Sequence, residues 1–252
     1  MPKLRFPAPA LALVALRSAL AQPSPASRAI EPVTAPAPHR VVEMAYFHVP
    51  PQKVHLVADA QAHIRGAMQS YPGFLGNLSY QSVADSTVFL DYTLWTTYRQ
   101  AEDAVSRAVA DPEVAGVYFG LMDQVPFFGH AVALDDAPVC AIPTPAPGSV
   151  AMLRVVGLKP GEQAAFTGHS RAFHELLRGA GARYGETGQF VEYPEFYIDY
   201  VQFPSIDAAR QALPAVRGHA DLVTAYFRSA NVTVLGGLFR PIGVVPPLAG
   251  CV

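Results

Sequence analysis

The alternation of apolar and polar residues over positions 41–134 predicts the order strand, helix, strand, strand, helix, strand. Val41 to Val49 is rich in β-branched and aromatic residues, as strands are. After Pro50 and Pro51, which suit a first helical turn, apolar residues recur at steps of three or four and predict one buried helix face. Its members are Val54, Val57, Ile64 and Met68.

Two strands, a second helix and a last strand complete this first unit. Leu75 to Val83 and Thr87 to Trp95 predict a hairpin around a short polar turn. Thr97 to Ala110 predicts the second helix, and Leu121 to Leu134 contains the last strand. The order β-α-β-β-α-β is the ferredoxin-like arrangement, a four-stranded antiparallel sheet with helices on one face.

The sequence repeats itself at an offset of 108 residues. Asp91-Tyr92 recurs as Asp199-Tyr200, and Tyr118-Phe119 recurs as Tyr226-Phe227. The same offset relates five further pairs: Met44 and Met152, Gly73 and Gly181, Trp95 and Phe203, Ala101 and Ala209, and Ala104 and Ala212. We therefore expect residues 149–241 to fold like residues 41–134, with the Pro-rich segment 135–148 as linker.

The strand from Thr87 to Trp95 is apolar on both of its faces, so both faces of its sheet need cover. Helices cover one face, and the sheet of the other copy is the simplest cover for the second. The predicted fold class is therefore α+β, with two ferredoxin-like units packed into one intramolecular pseudo-dimer.

The N-terminus predicts export. Lys3 and Arg5 precede an apolar stretch from Ala8 to Leu16, and Ala19-Leu20-Ala21 offers a cleavage site, so residues 1–21 are interpreted as a signal peptide. The alternative is a disordered N-terminus in a cytoplasmic protein. The apolar stretch is too short to span a bilayer. Residues 22–40 then form a Pro-rich tether, residues 242–252 form a tail, and the expected location is periplasmic or secreted.

Cys140 and Cys251 are the two cysteines of the chain, and each follows one repeat in a Pro-rich segment. A disulfide between them is one prediction for an oxidising compartment, and two unpaired thiols are the alternative. No cysteine-histidine spacing in the sequence indicates a zinc site.

Composition and motifs exclude several functional classes. Hydrophobic residues make up 51% of the chain, charged residues make up 15%, and the formal net charge is −2. This predicts a sizeable core and no field that attracts nucleic acid. The sequence contains no GxGxxG, phosphate loop, GxSxG or HExxH motif, so nucleotide-dependent chemistry and the common hydrolases have no support.

The tandem pattern, the Pro72-Gly73-Phe74 turn and the strand that ends at Trp95 resemble the antibiotic-biosynthesis monooxygenase (ABM) family of dimeric α+β barrels. The resemblance covers residues 41–134 and, more weakly, 149–241. It implies a single-chain version of that barrel. It also implies a small aromatic or apolar molecule as partner and, if the protein is an enzyme, cofactor-independent oxidation of a quinol or phenol.

Haem-degrading members of this family use an Asn on the first strand, a Trp on the third and a His on the following helix. The chain matches only Trp95, since the first strand has no Asn and the helix from Thr97 to Ala110 has no His. Phe203 stands at the Trp position of the second copy. No cofactor is therefore expected.

Asp91 and Asp199 are the candidate catalytic residues. Each lies mid-strand among aromatic residues, where a carboxylate is costly unless it is paired. One interpretation is a general base with a raised pKa, and the other is a structural carboxylate.

The candidate substrate-binding residues are Trp95, Gln61, His169, His48 and Phe203. Trp95 is suited to stack on a planar ligand, and Gln61 and His169 share a repeat position on the apolar face of a helix. For each, packing within the core is the alternative. His48 and His130 are further candidates for a pocket rim.

His55, Asp59 and His63 share one helix face and are interpreted as a solvated face, with a metal site as the alternative.

The predicted function is that of an exported monooxygenase-like barrel that binds an aromatic or apolar small molecule. Two alternatives have the same fold. One is a non-catalytic small-molecule-binding or stress-response protein. The other is a haem protein related to the chlorite dismutases, in which His169 or His174 supplies the axial ligand.

Overall fold

The structure is a computed structural model that describes residues 40–134, 142 and 144–245. The predicted signal peptide, most of the tether, Cys140 and Cys251 lie outside the described residues. Their interpretations stay predictions.

The first half has the predicted order of elements. They are β1 (Val41–His48), α1 (Val57–Met68), β2 (Phe74–Ser82), β3 (Val88–Trp95), α2 (Tyr98–Ala110), α3 (Pro112–Val117) and β4 (Gln124–Ala133). A 3₁₀ turn at Pro51–Leu56 precedes α1, and another at Phe119–Leu121 follows α3. The Thr97 side chain caps α2 by accepting a hydrogen bond from the Gln100 N–H.

The second half repeats this order. Its elements are β5 (Val150–Leu158), α4 (Gln163–Gly179), β6 (Tyr184–Phe190), β7 (Phe196–Phe203), α5 (Ile206–Arg217), α6 (Ala220–Ser229) and β8 (Ala230–Val245). Ser205 caps α5 as Thr97 caps α2. Strand β8 runs to Val245 and so passes the predicted end of the second unit at residue 241.

The eight strands form one closed antiparallel barrel in the order β1-β3-β2-β8-β5-β7-β6-β4. Each half contributes a ferredoxin-like sheet of four strands. The two sheets join at their edges, through β2 with β8 and through β4 with β6. The predicted α+β fold class is confirmed, and closure of the barrel buries the inner face of each sheet.

The core has three parts. One fills the barrel with residues of both halves, among them Met44, Leu90, Leu153 and Tyr200. The other two lie between the sheet and the helices of each half. The alanines that repeat on α2 and α5 are buried there, because small side chains let these helices approach the sheet.

Strand pairing corrects the predicted single offset. Met44 lies opposite Tyr92, but Leu153, and not Met152, lies opposite Tyr200. The first strands are therefore related by an offset of 109. Met44 accordingly points into the barrel, whereas Met152 packs on the helix side.

The first helices follow the same offset of 109. The buried residues Val57, Ile64 and Met68 of α1 correspond to Phe166, Phe173 and Leu177 of α4. From Gly73 and Gly181 onward the offset is 108, so the connection after α4 is one residue shorter. Both glycines have positive φ (82° and 102°), which explains why this turn keeps Gly in both halves.

Among the described residues, no helix has the length and apolar character that crossing a bilayer requires.

Candidate active site

Asp91 lies on β3 and points toward the helix layer of the first half. The Tyr118 hydroxyl donates a hydrogen bond to Asp91 Oδ2, and Gln61 Nε2 donates one of 2.9 Å to Asp91 Oδ1. Arg65 Nη1 lies 3.2 Å from the Ser79 hydroxyl on the neighbouring strand β2. The carboxyl group is therefore held by neutral donors, with one arginine behind them.

Burial raises the pKa of Asp91 to about 6, because an ionised carboxylate loses its hydration there. The hydrogen bonds from Ser79 and Tyr118 and the charge of Arg65 oppose this rise, while the charge of Glu43 adds to it. A carboxyl group with such a pKa takes up and releases a proton near neutral pH, as a general base must.

A cavity of about 40 Å³ adjoins Asp91 between the sheet and the helices. Polar residues line part of it, namely Glu43, Asp91, Thr93, Trp95 and Tyr118. The remaining lining is apolar and includes Ala45, Met68, Met122 and Phe128. This volume holds water molecules but not an aromatic ring, so the binding of a ring requires these side chains to move. Methionine side chains suit that movement, because they are unbranched and flexible.

The second half fills the equivalent space with an arginine. Ala45 lies opposite Asp91, whereas Arg154 lies opposite Asp199. Across the next strand Ala45 faces Phe128, while Arg154 faces Gly236, whose missing side chain leaves room for it. The first half thus has a cavity because the residue opposite its aspartate is the small Ala45 and not an arginine.

Asp199 is paired with charged groups. Arg154 Nη2 lies 2.5 Å from Asp199 Oδ2, and the hydroxyl of Tyr226 donates to the same oxygen at 2.5 Å. His174 Nε2 contacts the other oxygen, and Gly185 leaves space for the imidazole ring. Burial alone would raise the pKa of Asp199, but His174 and Arg154 outweigh it and hold the pKa well below its usual range.

Aromatic rings surround this second carboxylate. Phe173 stacks on Tyr226 at a centroid distance of 4.8 Å, and the guanidinium of Arg154 lies 4.7 Å from the Tyr226 ring centroid. This arrangement stabilises an ionised Asp199 as part of the core. We therefore assign Asp199 a structural role and keep Asp91 as the candidate base.

Comparison with known proteins agrees with the predicted resemblance. Residues 40–114 match the family model described as antibiotic biosynthesis monooxygenase. This match covers most of the first half of the chain.

Solved structures extend the likeness in fold to most of the chain. A proposed monooxygenase from Fusobacterium nucleatum superposes with a TM-score of 0.62 at 12% identity and covers 85% of this chain and 97% of its own. An anthrone oxidase-like protein gives a TM-score of 0.64 at 15% identity and covers 82% and 92%. A chlorite dismutase from Candidatus Nitrospira defluvii gives 0.54 at 12% identity and covers 82% and 93%. No curated protein matches the sequence.

The residues of the second half do not fit haem, the cofactor of one of the predicted alternatives. His174, a candidate axial ligand, has its Nε2 atom engaged by Asp199. The space between α4 and its sheet is occupied by Phe166, Phe173 and Tyr226. A porphyrin bound to His174 would have to displace this aromatic packing and break an ion pair.

The proposed equivalence of Gln61 and His169 is wrong. Because the helices follow the offset of 109, Gln61 corresponds to Ser170, and Arg65 corresponds to His174. His169 lies half-buried beside the buried stripe, and its Nδ1 atom has no hydrogen-bond partner among the described residues. Gln61 contacts Asp91 in the candidate site, whereas His169 lies on α4 in the second half, away from that site.

The remaining predicted residues lie in different surroundings. Trp95 is fully buried and lines the cavity, and its indole Nε1–H finds no hydrogen-bond partner in the described residues. Phe203 is buried in the helix layer of the second half. His48 lies at the end of β1, where its Nδ1 is 2.7 Å from an Asp123 carboxylate oxygen.

The helix face that carries His55, Asp59 and His63 shows no metal site. His55 and Asp59 are exposed and His63 is half-buried. Within the described residues no group of three or more potential ligands is placed to hold an ion. The solvated face is the interpretation that agrees with this arrangement.

Sequence reasoning missed Ala45, Arg65, Arg154 and His174 as residues that set the charge of the two aspartates. Tyr118 and Tyr226 were noticed as repeats, but their contact with Asp91 and Asp199 was not predicted. The available signal was the spacing of 27 residues that separates tyrosine and aspartate in both halves.

A larger open groove of about 580 Å³ lies at the end of β8 beside residues 145–150. Its described lining contains no carboxylate, histidine or tyrosine, so it offers no acid or base.

Proposed function

We propose that the first half of this chain oxidises a phenol-type aromatic molecule with molecular oxygen and without a cofactor. The observation that carries the proposal is Asp91, a buried carboxyl group with a raised pKa that lines a cavity together with Trp95. The second half supports the barrel and carries no base. The ABM-type fold and the anthrone oxidase-like structure support this class of chemistry.

In the proposed reaction Asp91 removes a proton from an acidic C–H group of the bound aromatic molecule. The resulting anion is electron-rich and passes electrons to O2, so a C–O bond forms and gives a peroxide. Loss of the second C–H proton and cleavage of the O–O bond then give a carbonyl group and water. One CH2 group and one O2 are thus converted to one C=O group and one H2O.

The wall of the cavity suits such a substrate. Trp95 offers an aromatic surface for stacking, and Tyr118 donates its hydroxyl to Asp91 and so fixes the direction of the carboxyl group. The apolar lining excludes water from the carbanion, which water would otherwise reprotonate.

Oxygen uptake with anthrone and a panel of quinols and polyphenols tests the proposal. Anthrone is the keto form of a phenol, and we expect one O2 consumed for each anthraquinone formed. Asp91→Asn removes the base, so kcat/KM should fall about 100-fold or more. Asp103→Asn changes an exposed carboxylate of the same half and serves as the control. Absence of turnover across the panel, or an unchanged rate in Asp91→Asn, contradicts the proposal.

A non-catalytic small-molecule-binding protein of the same fold is the second candidate. The small volume of the cavity favours it, because 40 Å³ is far below the size of ordinary ligand pockets. Saturable binding of aromatic molecules without oxygen uptake, measured by Trp95 fluorescence and an oxygen electrode, would establish this candidate instead.

Export to the periplasm or medium is part of the proposal and rests on the charged and apolar pattern of residues 1–21. N-terminal sequencing of the protein from cell fractions tests it. We expect a mature chain that starts near residue 22. A chain that stays in the cytoplasm with residues 1–21 still attached would contradict export.

A further inference from the structure

Three residues form a row from the protein surface to the cavity wall at the junction of β4 with β6. Glu192 lies in the hairpin between β6 and β7 of the second half, and its side chain is 25% exposed. His130 on β4 is fully buried, and Glu43 on β1 lies beside it and lines the cavity. The row therefore joins solvent to the site across the two halves.

Both ends of the His130 ring face a carboxylate. Nδ1 lies 2.5 Å from Glu192 Oε1, and the backbone N–H of His130 donates to Glu192 Oε2 at 3.0 Å. Nε2 forms an ion pair with Glu43 Oε2 at 3.4 Å, without the alignment of a hydrogen bond. Neither of these two atoms has another hydrogen-bond partner in the described residues. A buried polar atom without a hydrogen bond lowers the stability of the fold. The presence of two such atoms side by side therefore indicates a functional role for His130 and Glu43.

The other junction shows that the fold does not require this row. By the two offsets, Glu43 corresponds to Met152, His130 to Leu238 and Glu192 to Ala84. The hairpins dock equivalently, since Val191 N donates to His130 O and Val83 N donates to Leu238 O. One junction is thus built from three apolar residues where the other has three ionisable ones, and the ionisable set is next to the cavity.

We propose that the row Glu192–His130–Glu43 supplies protons to the oxygen atoms of the substrate, with His130 as the store and Glu43 as the group that reaches the cavity. This inference rests on the proposed function. Asp91 takes protons from carbon, and the row gives protons to oxygen. When the O–O bond breaks, Glu43 accepts a proton from His130 Nε2 and passes it to the leaving hydroxide, which becomes water. Glu43 is left as a carboxylate, and His130 is reprotonated from solvent through Glu192.

The charge of His130 suits this role. Burial alone would lower its pKa, but the contacts with Glu192 and Glu43 outweigh burial and raise the pKa to about 9. The imidazole is therefore protonated at neutral pH and can protonate hydroxide, which is a far stronger base. The titratable groups around it are Glu43 from β1, Glu192 from the β6–β7 hairpin and Tyr98 from α2.

The test compares pH profiles of the full chain with anthrone as substrate. In Glu192→Gln the imidazolium loses its main partner, so the alkaline limb of kcat should move from about pH 9 toward lower pH. We expect kcat at pH 8 to fall about tenfold or more while KM changes less than twofold. Glu195→Gln, an exposed carboxylate of the same hairpin, is the matched control.

A second variant separates this role from a structural one. Glu43→Met, His130→Leu and Glu192→Ala together copy the apolar junction, so the protein should fold with unchanged circular dichroism. The proposal expects this variant to lose the alkaline limb and about 90% or more of kcat. Full activity in the folded triple variant, or a slower Glu192→Gln enzyme with an unmoved alkaline limb, overturns the proton row alone. Absence of anthrone and panel turnover in the natural chain overturns the proposed function and the row with it.

Discussion

At the scale of single residues, the two repeated aspartates have opposite electrostatic surroundings. The groups that contact Asp91 are neutral hydrogen-bond donors, and burial raises its pKa. Asp199 contacts an arginine and a histidine, which lower its pKa. The same residue on equivalent strands therefore serves as a candidate base in one half and as a structural anion in the other. This difference is not visible in the strand sequence, because it depends on what lies across the sheet.

The two aspartates should affect stability with opposite signs. A folded pKa raised to about 6 means that Asp91 destabilises the fold once pH rises above the pKa of the unfolded chain, from about 4 upward. Asp91→Asn should therefore raise the free energy of unfolding at pH 7 by about 1–3 kcal/mol. Urea unfolding at pH 7 and pH 4 measures this, and the gain should disappear at the lower pH.

Asp199 should show the reverse behaviour. Its folded pKa is depressed, so its contribution is present above pH 4 and is lost as pH falls through the folded pKa. Asp199→Asn leaves Arg154 and His174 without their buried partner and should cost about 3–5 kcal/mol at pH 7. The same urea series checks it, and a neutral effect of Asp199→Asn would contradict the assigned structural role.

The repeated tyrosines offer a matched pair of variants. Tyr118→Phe removes a hydrogen bond that lowers the pKa of Asp91, so the acid limb of kcat/KM should move above pH 6. Tyr226→Phe removes the equivalent hydroxyl from Asp199 and should cost about 1–2 kcal/mol of stability with no change in that limb. If Tyr118→Phe and Tyr226→Phe moved the acid limb of kcat/KM equally, the proposal that only Asp91 acts as the base would be wrong.

At the scale of elements, the first strand of each half decides whether a cavity forms. β1 places Ala45 opposite Asp91 and β5 places Arg154 opposite Asp199. The last strand of each half differs in the complementary sense: Phe128 on β4 lies opposite the small Ala45, and Gly236 on β8 lies opposite the large Arg154. Two strands that pair in the same register thus produce an open site in one half and a filled one in the other.

Ala45→Arg combined with Phe128→Gly should convert the first site into a copy of the second. The guanidinium would fill the cavity and lower the pKa of Asp91, because an adjacent positive charge favours the carboxylate. We expect oxygen uptake to fall about 100-fold or more, with folding retained. Steady-state kinetics and circular dichroism measure both, and retained turnover would show that the reaction occurs elsewhere.

The sequence predicted these elements well, because their periodicity is strong. The predicted bounds of β3 and α2 lie within one residue of those in the structure. The pairing of Gln61 with His169 failed for a physical reason. The connection after α4 is one residue shorter, so a single offset of 108 pairs each residue of α1 with the neighbour of its true counterpart. That neighbour lies about 100° away around the helix axis.

Asp91 and Trp95 could be proposed from sequence, since a carboxylate and an indole among apolar strand residues are unusual. Ala45 could not be proposed, because alanine has no functional group and matters only as space next to a carboxyl group. Glu192 could not be linked to His130 either, since the two are 62 residues apart and meet only when the barrel closes.

At the scale of the whole molecule, the two junctions of the barrel differ in length. Residues 77–82 of β2 pair with β8, whereas only Ala131 to Ala133 of β4 pair with β6. The His130–Glu192 contacts lie at the shorter junction, where they add to the few backbone hydrogen bonds. The site is therefore next to the part of the barrel that should open most readily.

Hydrogen exchange should detect this difference. Amides of residues 188–190 at the short junction are expected to exchange faster than amides of residues 78–82 at the long one. Glu192→Gln should speed exchange further at the short junction only. Exchange followed by mass spectrometry or NMR measures both, and equal protection at the two junctions would contradict the expectation.

The missing residue between α4 and β6 has a consequence for how this protein can change over time. In a dimer of identical subunits every substitution appears twice, so a mutation that helps one pocket also burdens the other. Fusion removes that constraint, and the missing residue shows that the two copies have already diverged: Gln61 of α1 contacts one aspartate, whereas His174 of α4 contacts the other. One copy is then free to stabilise the barrel while the other keeps the candidate site.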